Sequence, residues 1–149
     1  MLKEIMEALV DISRTVPVIF PIHPRTRQRL GDMSFPDPES AFDNLKFLDP
    51  IGYLDFLALQ SHASLVITDS GGIQEETTYL NVPCLTVREN TERPVTVSLG
   101  TNLLVGCDMN RLRSETRRIL RGGHRKGQVP PLWDGHASER IAAVIAGLP

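Results

Sequence analysis

The sequence has little of what marks secreted, membrane-spanning or strongly charged proteins. It holds two cysteines in 149 residues, Cys84 and Cys107. Each lies in or beside an apolar run, which predicts reduced packing thiols and a cytoplasmic protein. No apolar run approaches membrane-spanning length and no signal peptide is visible, so no membrane association is expected. The formal net charge of −2 predicts no general attraction to nucleic acid.

Histidines are equally sparse, at positions 23, 62, 124 and 136. They share no ligand-type spacing with one another or with the cysteines, so the sequence predicts no metal site. Basic residues crowd between positions 111 and 126, but no aromatic residue interleaves with them, which favours a solvated helix face over a nucleic-acid patch. The remaining composition, 41% hydrophobic and 23% charged, predicts a single globular domain.

The stretch from 65 to 80, LVITDSGGIQEETTYL, is the most informative part of the chain. Leu65–Thr68 is a short apolar, β-branched run typical of a strand buried on both faces. Asp69–Gly72 interrupts it, and from Ile73 onward the apolar positions recur at helical spacing. The pattern predicts a strand that ends in a glycine turn and opens a helix.

Such a turn can bind an anion. The first N–H groups of a helix have no intrahelical partner, and the macrodipole places partial positive charge there. Gly71 and Gly72 carry no Cβ that would hold a phosphate off the backbone, and the Ser70 hydroxyl adds a donor. Glu76 lies on the same side as Gly72 and can accept hydrogen bonds from a ribose diol. In the alternative interpretation, Ser70 is only an N-cap and the glutamates only complement the dipole.

Strand and helix signals alternate along the whole chain, which predicts an α/β fold with a mostly parallel, doubly wound sheet. The first helix is predicted over Leu2–Val10 and a short second one over Thr26–Leu30, followed by a loop from 31 to 40. Further helices are expected at 53–63, 73–80, near 95–99, at 110–120 and at 138–146. Strands are expected at 16–22, 45–48, 65–68, 84–87 and 102–105.

In parallel sheets ligands bind beyond the carboxyl ends of the strands. That rule groups His23, the turn at 50–56, the glycine turn and the loop at 88–93 into one rim. His23 and Arg93 are candidate ligand-binding residues, although each could be an ordinary loop residue. Tyr53 or Phe56 could present a ring to a nucleobase, whereas Phe56 could equally pack in the core.

Five motifs together resemble the carboxyl-terminal half of non-hydrolysing UDP-N-acetylglucosamine 2-epimerases, over nearly the whole chain. They are PIHPRTR at 21–27, DPIGYLDF at 49–56, TDSGGIQEE at 68–76, VPCLTVRENTERP at 82–94 and GTNLLVG at 100–106. The resemblance implies that residues 1–149 form the UDP-binding, Rossmann-like carboxyl-terminal domain of a two-domain enzyme of the GT-B type.

What the resemblance implies for function is specific. Ser70, Gly71 and Gly72 would bind the diphosphate and Glu76 the ribose, with His23, Phe56 and Arg93 also in the UDP site. The reaction would eliminate UDP and add it back, interconverting UDP-GlcNAc and UDP-ManNAc for cell-envelope polysaccharides, without metal or nicotinamide cofactor. The partner is UDP or a UDP-N-acetylhexosamine, and the full-length protein is expected to be a homodimer.

Two departures from the family pattern carry expectations. The family's proton-transfer residues lie in an amino-terminal domain, so this chain is expected to hold no catalytic residue. The family's first strand also precedes Met1, and it would lie between the strands at 18–22 and 65–68. Without it, those strands would close on each other, take up a substitute or leave unpaired edges. Two alternatives remain: a GT-B-type glycosyltransferase domain, and a nucleotide-binding module without activity.

Overall fold

A computed structural model describes residues 1–36 and 41–148 of the chain. The helices, in chain order, are α1 Leu2–Ser13, α2 Pro24–Asp32, α3 Tyr53–His62, α4 Gly71–Leu80, α5 Pro94–Ser98, α6 Met109–Leu120 and α7 Ala137–Ala146. The strands are β1 Val18–Pro21, β2 Leu45–Leu48, β3 Val66–Thr68, β4 Cys84–Thr86 and β5 Asn102–Leu104. The predicted alternation of strands and helices is confirmed.

Several boundaries differ from the sequence-based expectation. Helix α2 runs from Pro24 to Asp32, so its first residue is a proline at N1, where the missing N–H costs no hydrogen bond. The predicted loop at 31–40 therefore begins two residues too early, and its residues 37–40 lie outside the described part of the chain. Helix α4 begins at Gly71, so the two glycines belong to the helix rather than to the turn before it.

The described strands form two parallel sheets. In one, β1 pairs with β2, with Val18 opposite Leu45. In the other, β4 lies between β3 and β5, with Val66 opposite Cys84 and Cys84 opposite Asn102. Because all three pairings are parallel, each sheet presents the carboxyl ends of its strands at a single edge.

One edge of β1 and one edge of β3 are unpaired by any described strand. The sequence left three possibilities for these strands: direct pairing, a substitute strand, or unpaired edges. Among the described residues, the structure has unpaired edges. The core continues across this division, since Val18 and Ile67 each pack against both hydrophobic clusters of the molecule. Side-chain packing therefore joins the sheets where backbone hydrogen bonds do not.

Helix α1 covers both clusters with successive positions of its buried face. Met6 and Leu9 belong to the cluster around β1 and β2, whereas Ala8 and Ile12 belong to the cluster around β4 and α6. Burial of a large apolar side chain, such as Met6 or Leu9, stabilises the fold by about 1.5–3 kcal/mol relative to its exposure. The helix thus fixes the two sheets relative to each other.

The cysteines differ in environment. Cys84 is buried in β4, and burial raises the pKa of its thiol to about 11. Cys107 is exposed, so the prediction that it is a packing thiol is wrong. It lies two residues beyond the buried Val105, where the chain has left the core. Within the described ranges, no helix is both long and apolar enough to cross a membrane.

Candidate functional site

The glycine turn, residues 69–72, lies where β3 passes into α4, and its two glycines are the first two residues of that helix. Ser70 occupies the N-cap position with extended backbone angles, but its side chain makes no capping hydrogen bond. Among the described residues, the N–H groups of Gly71, Gly72 and Ile73 have no recorded acceptor. The hydroxyl and three amides are therefore available to an external acceptor, which weakens the interpretation of Ser70 as only a cap.

Gly72 leaves open space over this turn. A Cβ built on it would meet only the Ser70 Oγ, at 3.9 Å. Gly31, in α2, is a second helical glycine with open space, since no described atom lies within 4 Å of a Cβ built on it. Gly72 therefore has no packing reason to lack a side chain, which is the expected state of a glycine that a ligand approaches.

Glu76 is oriented by a residue that sequence reasoning missed. Gln60, at 2% exposure the most buried residue of α3, donates from Nε2 to Glu76 Oε2 at 2.5 Å. This charge-assisted hydrogen bond fixes the carboxylate and leaves its other oxygen free to accept. Phe56 lies one turn before Gln60 on the same side of α3 and is half-buried. By this spacing, Phe56 lies on the face of α3 from which Gln60 contacts Glu76.

Arg93 is engaged by the neighbouring glutamate. Its Nε lies 2.9 Å from Glu75 Oε1, with both side chains roughly 40% exposed. The backbone around it is held firmly: Arg93 N–H donates to Thr91 Oγ1 at 2.9 Å, and Thr96 Oγ1 donates to the Arg93 carbonyl at 2.7 Å. A partly exposed ion pair exchanges partners at little cost, so the Arg93 side chain is free to turn to a ligand while its backbone stays in place.

A second ion pair covers the glycine turn itself. Glu92 Oε1 would lie only 2.7 Å from a Cβ on Gly71. Arg88 Nη1 lies 3.1 Å from Glu92 Oε2 and donates to the Asp69 carbonyl at 3.4 Å. A hydrogen bond to its own backbone, followed by the charges of Arg88 and Arg93, holds the pKa of Glu92 below its usual range. In this state a carboxylate therefore lies against the first residue of α4.

A buried polar network supports both loops beneath this surface. Gln74 Oε1 accepts from Thr91 Oγ1 at 2.6 Å and from Asn102 Nδ2 at 3.0 Å. Asn102 also accepts from Thr86 Oγ1 at 2.6 Å and donates to Thr96 Oγ1 at 3.1 Å. Since these residues come from α4, β4, β5, α5 and the loop at 88–93, the network fixes that loop against the helix.

His23 occupies a different part of the rim. It is the N-cap of α2, and its Nδ1 accepts from the Arg25 N–H at 3.2 Å. It follows β1, at the carboxyl edge of the two-stranded sheet, and no recorded hydrogen bond or ion pair of the described residues joins it to the glycine turn. The structure thus brings Ser70, Gly71 and Arg93 together and gives His23 a local capping role.

The loop at 88–93 and its Arg93 were predicted as part of the rim, but Arg88 and Glu92, which also reach the turn, were assigned no role in it. Arg88 and Glu92 are ordinary loop charges by sequence, and Gln60 is one polar residue in a helical pattern. Arg88 and Glu92 lie in a loop, where no helical spacing predicts that they pair, and no sequence signal placed that pair on Gly71. Within the described ranges, no group of three or more His, Cys, Asp or Glu side chains has the arrangement of a metal site.

Comparison with known proteins identifies the family of this chain. A family model described as UDP-N-acetylglucosamine 2-epimerase matches residues 1–146. The chain is 40% identical over 146 residues to the UDP-N-acetylglucosamine 2-epimerase of Methanocaldococcus jannaschii, which covers 97% of this chain and 39% of that protein. The crystal structure of an enzyme of that name from the same organism, in complex with UDP-GlcNAc and UDP, matches with a TM-score of 0.84 at 40% identity, covering 97% of this chain and 40% of the other.

A relative that is named for a different substrate is nearly as similar. The UDP-2,3-diacetamido-2,3-dideoxy-D-glucuronate 2-epimerase of Pseudomonas aeruginosa is 38% identical over 151 residues, covering 99% of this chain and 40% of that protein. The chain therefore spans about two fifths of the length of the relatives it matches. The names of these relatives share the UDP moiety but differ in the sugar.

Proposed function

The chain belongs to the UDP-N-acetylglucosamine 2-epimerase family, and we propose that it is the UDP-binding part of such an enzyme. The observation that carries the proposal is the turn at Ser70–Gly72. There a hydroxyl and three helix amides have no hydrogen-bond partner among the described residues, and the guanidinium groups of Arg88 and Arg93 lie beside them. The amides and the hydroxyl bind the diphosphate, and the free oxygen of Glu76 binds the ribose diol. Phe56 and His23 contribute to the nucleotide-sugar end of the cleft.

The proposed reaction of the longer protein interconverts UDP-GlcNAc and UDP-ManNAc by eliminating UDP and adding it back. Bond cleavage leaves negative charge on the diphosphate, which the amides of α4 and Arg93 stabilise. The groups that move the proton at C2 lie outside this chain, so residues 1–149 hold and release the leaving group. We place the enzyme in the cytoplasm as a homodimer that supplies sugars for the cell envelope.

Calorimetry with UDP and with uridine tests the binding part of this proposal. Because the site is built around the diphosphate, UDP binds more tightly than uridine, and the chain alone does not epimerise UDP-GlcNAc. Equal affinities, or turnover by the chain alone, contradict the proposal. With the longer protein, isomerisation without an acceptor identifies the epimerase, whereas transfer only to an acceptor indicates a glycosyltransferase.

Gly72→Ala tests the turn directly. A Cβ at this position has room in the unliganded chain, its nearest contact lying at 3.9 Å. Stability therefore changes little, while the methyl group fills the space of the phosphate and UDP affinity falls by about tenfold or more. Gly31→Ala is the matched control, since it also adds a methyl group to a helix with open space and should leave UDP affinity unchanged. Unaltered affinity in Gly72→Ala would place the phosphate elsewhere.

A further inference from the structure

We infer that Glu92 occupies the place of a ligand phosphate, and that Arg88 is an additional phosphate-binding residue which exchanges Glu92 for the phosphate when the ligand binds. The inference deepens the proposed function and rests on it. It adds to the site two residues, Arg88 and Glu92, that lie within the motif at 82–94 but to which the sequence analysis assigned no role.

The position of the Glu92 carboxylate is the first argument. Its Oε1 would be 2.7 Å from a Cβ on Gly71, closer than real side chains approach a Cβ, so the carboxylate occupies the space that the absent Gly71 side chain leaves open. The carboxylate thus lies against the first residue of α4, where partial positive charge collects. An anionic group of the protein and an anionic ligand would share the same space.

The position of Arg88 is the second argument. Its Nη1 contacts both the Glu92 carboxylate, at 3.1 Å, and the carbonyl of Asp69, which immediately precedes Ser70. The guanidinium is therefore already anchored at the turn by a backbone contact that does not involve Glu92. A phosphate in place of the carboxylate would meet the same cation, and guanidinium groups bind phosphate with two parallel hydrogen bonds.

Charge around the turn gives the third argument. Arg88 is paired with Glu92 and Arg93 with Glu75, so the unliganded surface presents no net excess of positive charge to a diphosphate. Displacement of Glu92 releases one guanidinium for the ligand. The Arg88 and Glu92 side chains are 36% and 51% exposed, so water can hydrate the carboxylate as it leaves.

The test is calorimetry of UDP and uridine with the wild-type chain and with Glu92→Gln, Glu92→Asp and Arg88→Gln. Glu92→Gln removes the competing charge, and UDP affinity rises by up to about fivefold, the equivalent of a surface ion pair. Glu92→Asp keeps the charge but shortens the side chain by one methylene, so it also strengthens UDP binding. Arg88→Gln weakens UDP binding by about tenfold or more. Uridine affinity is unchanged throughout.

Glu139→Gln, on the exposed surface of α7, is the control for loss of a carboxylate at a distance. If Glu92→Gln strengthens binding and Glu92→Asp does not, only the general field of the charge matters and the inference is wrong. Normal UDP affinity in Arg88→Gln, or a parallel change for uridine, also overturns it. Failure of every variant and of the wild type to bind UDP would instead overturn the proposed function itself.

Discussion

Replacement of Glu76 by glutamine separates ribose recognition from folding. Glu76 is half-buried, and Gln60 Nε2 donates to one of its carboxylate oxygens at 2.5 Å. The carbonyl oxygen of that amide, Gln60 Oε1, is buried and has no hydrogen-bond partner among residues 1–36 and 41–148. Glu76→Gln keeps the shape, and the carbonyl oxygen of the new amide can still accept from Gln60 Nε2. We therefore expect the free energy of unfolding to change by less than about 1 kcal/mol.

Binding should respond much more strongly than stability. Glu76→Gln removes the charge that accepts the ribose hydroxyls, and a hydrogen bond to a charged group contributes roughly 1.5–3 kcal/mol. UDP affinity should therefore fall by about tenfold to a hundredfold. Glu75→Gln is the matched control: its ion pair with Arg93 is roughly 40% exposed, so its loss should change affinity by at most about fivefold.

Calorimetry with UDP and with its 2′-deoxy analogue measures the ribose contact itself. If Glu76 accepts from the diol, much of the difference between wild type and Glu76→Gln disappears with the deoxy compound, because the partner hydroxyl is absent. Equal losses from Glu75→Gln and Glu76→Gln would show that the wrong glutamate was assigned. An undiminished loss with the deoxy compound would show that Glu76 acts on another part of the ligand.

Further predictions concern the fold, and they involve one glycine, the two thiols and the strand edges. Gly100→Ala should destabilise the chain by about 1–3 kcal/mol in urea unfolding, because the added Cβ would lie 2.5 Å from the Thr96 carbonyl oxygen; Gly31→Ala, with open space, is its control. Cys107 should react readily with a thiol reagent and Cys84 only on unfolding. Because burial raises the pKa of Cys84 from 9.0 to about 11, the unfolded chain loses this proton first, and stability should fall as pH rises through that interval. The unpaired edges of β1 and β3 should cause concentration-dependent self-association in sedimentation experiments.

Each of these has a clear contrary result. Equal stability of the two alanine variants would mean that the backbone near 100 yields more easily than its contacts suggest. Rapid modification of both thiols in the folded chain would place Cys84 at the surface. A monomer at all concentrations, with slow hydrogen exchange at both strand edges, would show that the edges are protected within the chain.

The local conformations of the site follow from the sequence. The β-branched run at 66–68 favours a strand, the glycines permit close approach to the backbone, and the helical spacing after Ile73 fixes where α4 continues. These features depend on neighbours a few residues apart, so the strand–turn–helix unit could be predicted. Its motif at 68–76, together with the other four motifs along the chain, was specific enough to identify the family, which the comparisons confirm.

The tertiary structure decided which partner each charged side chain has. The sequence distinguished Glu76 by its spacing from Gly72, but it indicated no protein partner for Glu75, Glu76 or Glu92. In the fold, Glu75 pairs with Arg93, Glu76 with Gln60, and Glu92 lies on Gly71 with Arg88. Most of these contacts join residues 16 to 21 positions apart, on different elements. Their geometry depends on how β3, β4, α3 and α4 pack together, because the polar atoms can meet only after hydrophobic burial has set the distances between those elements.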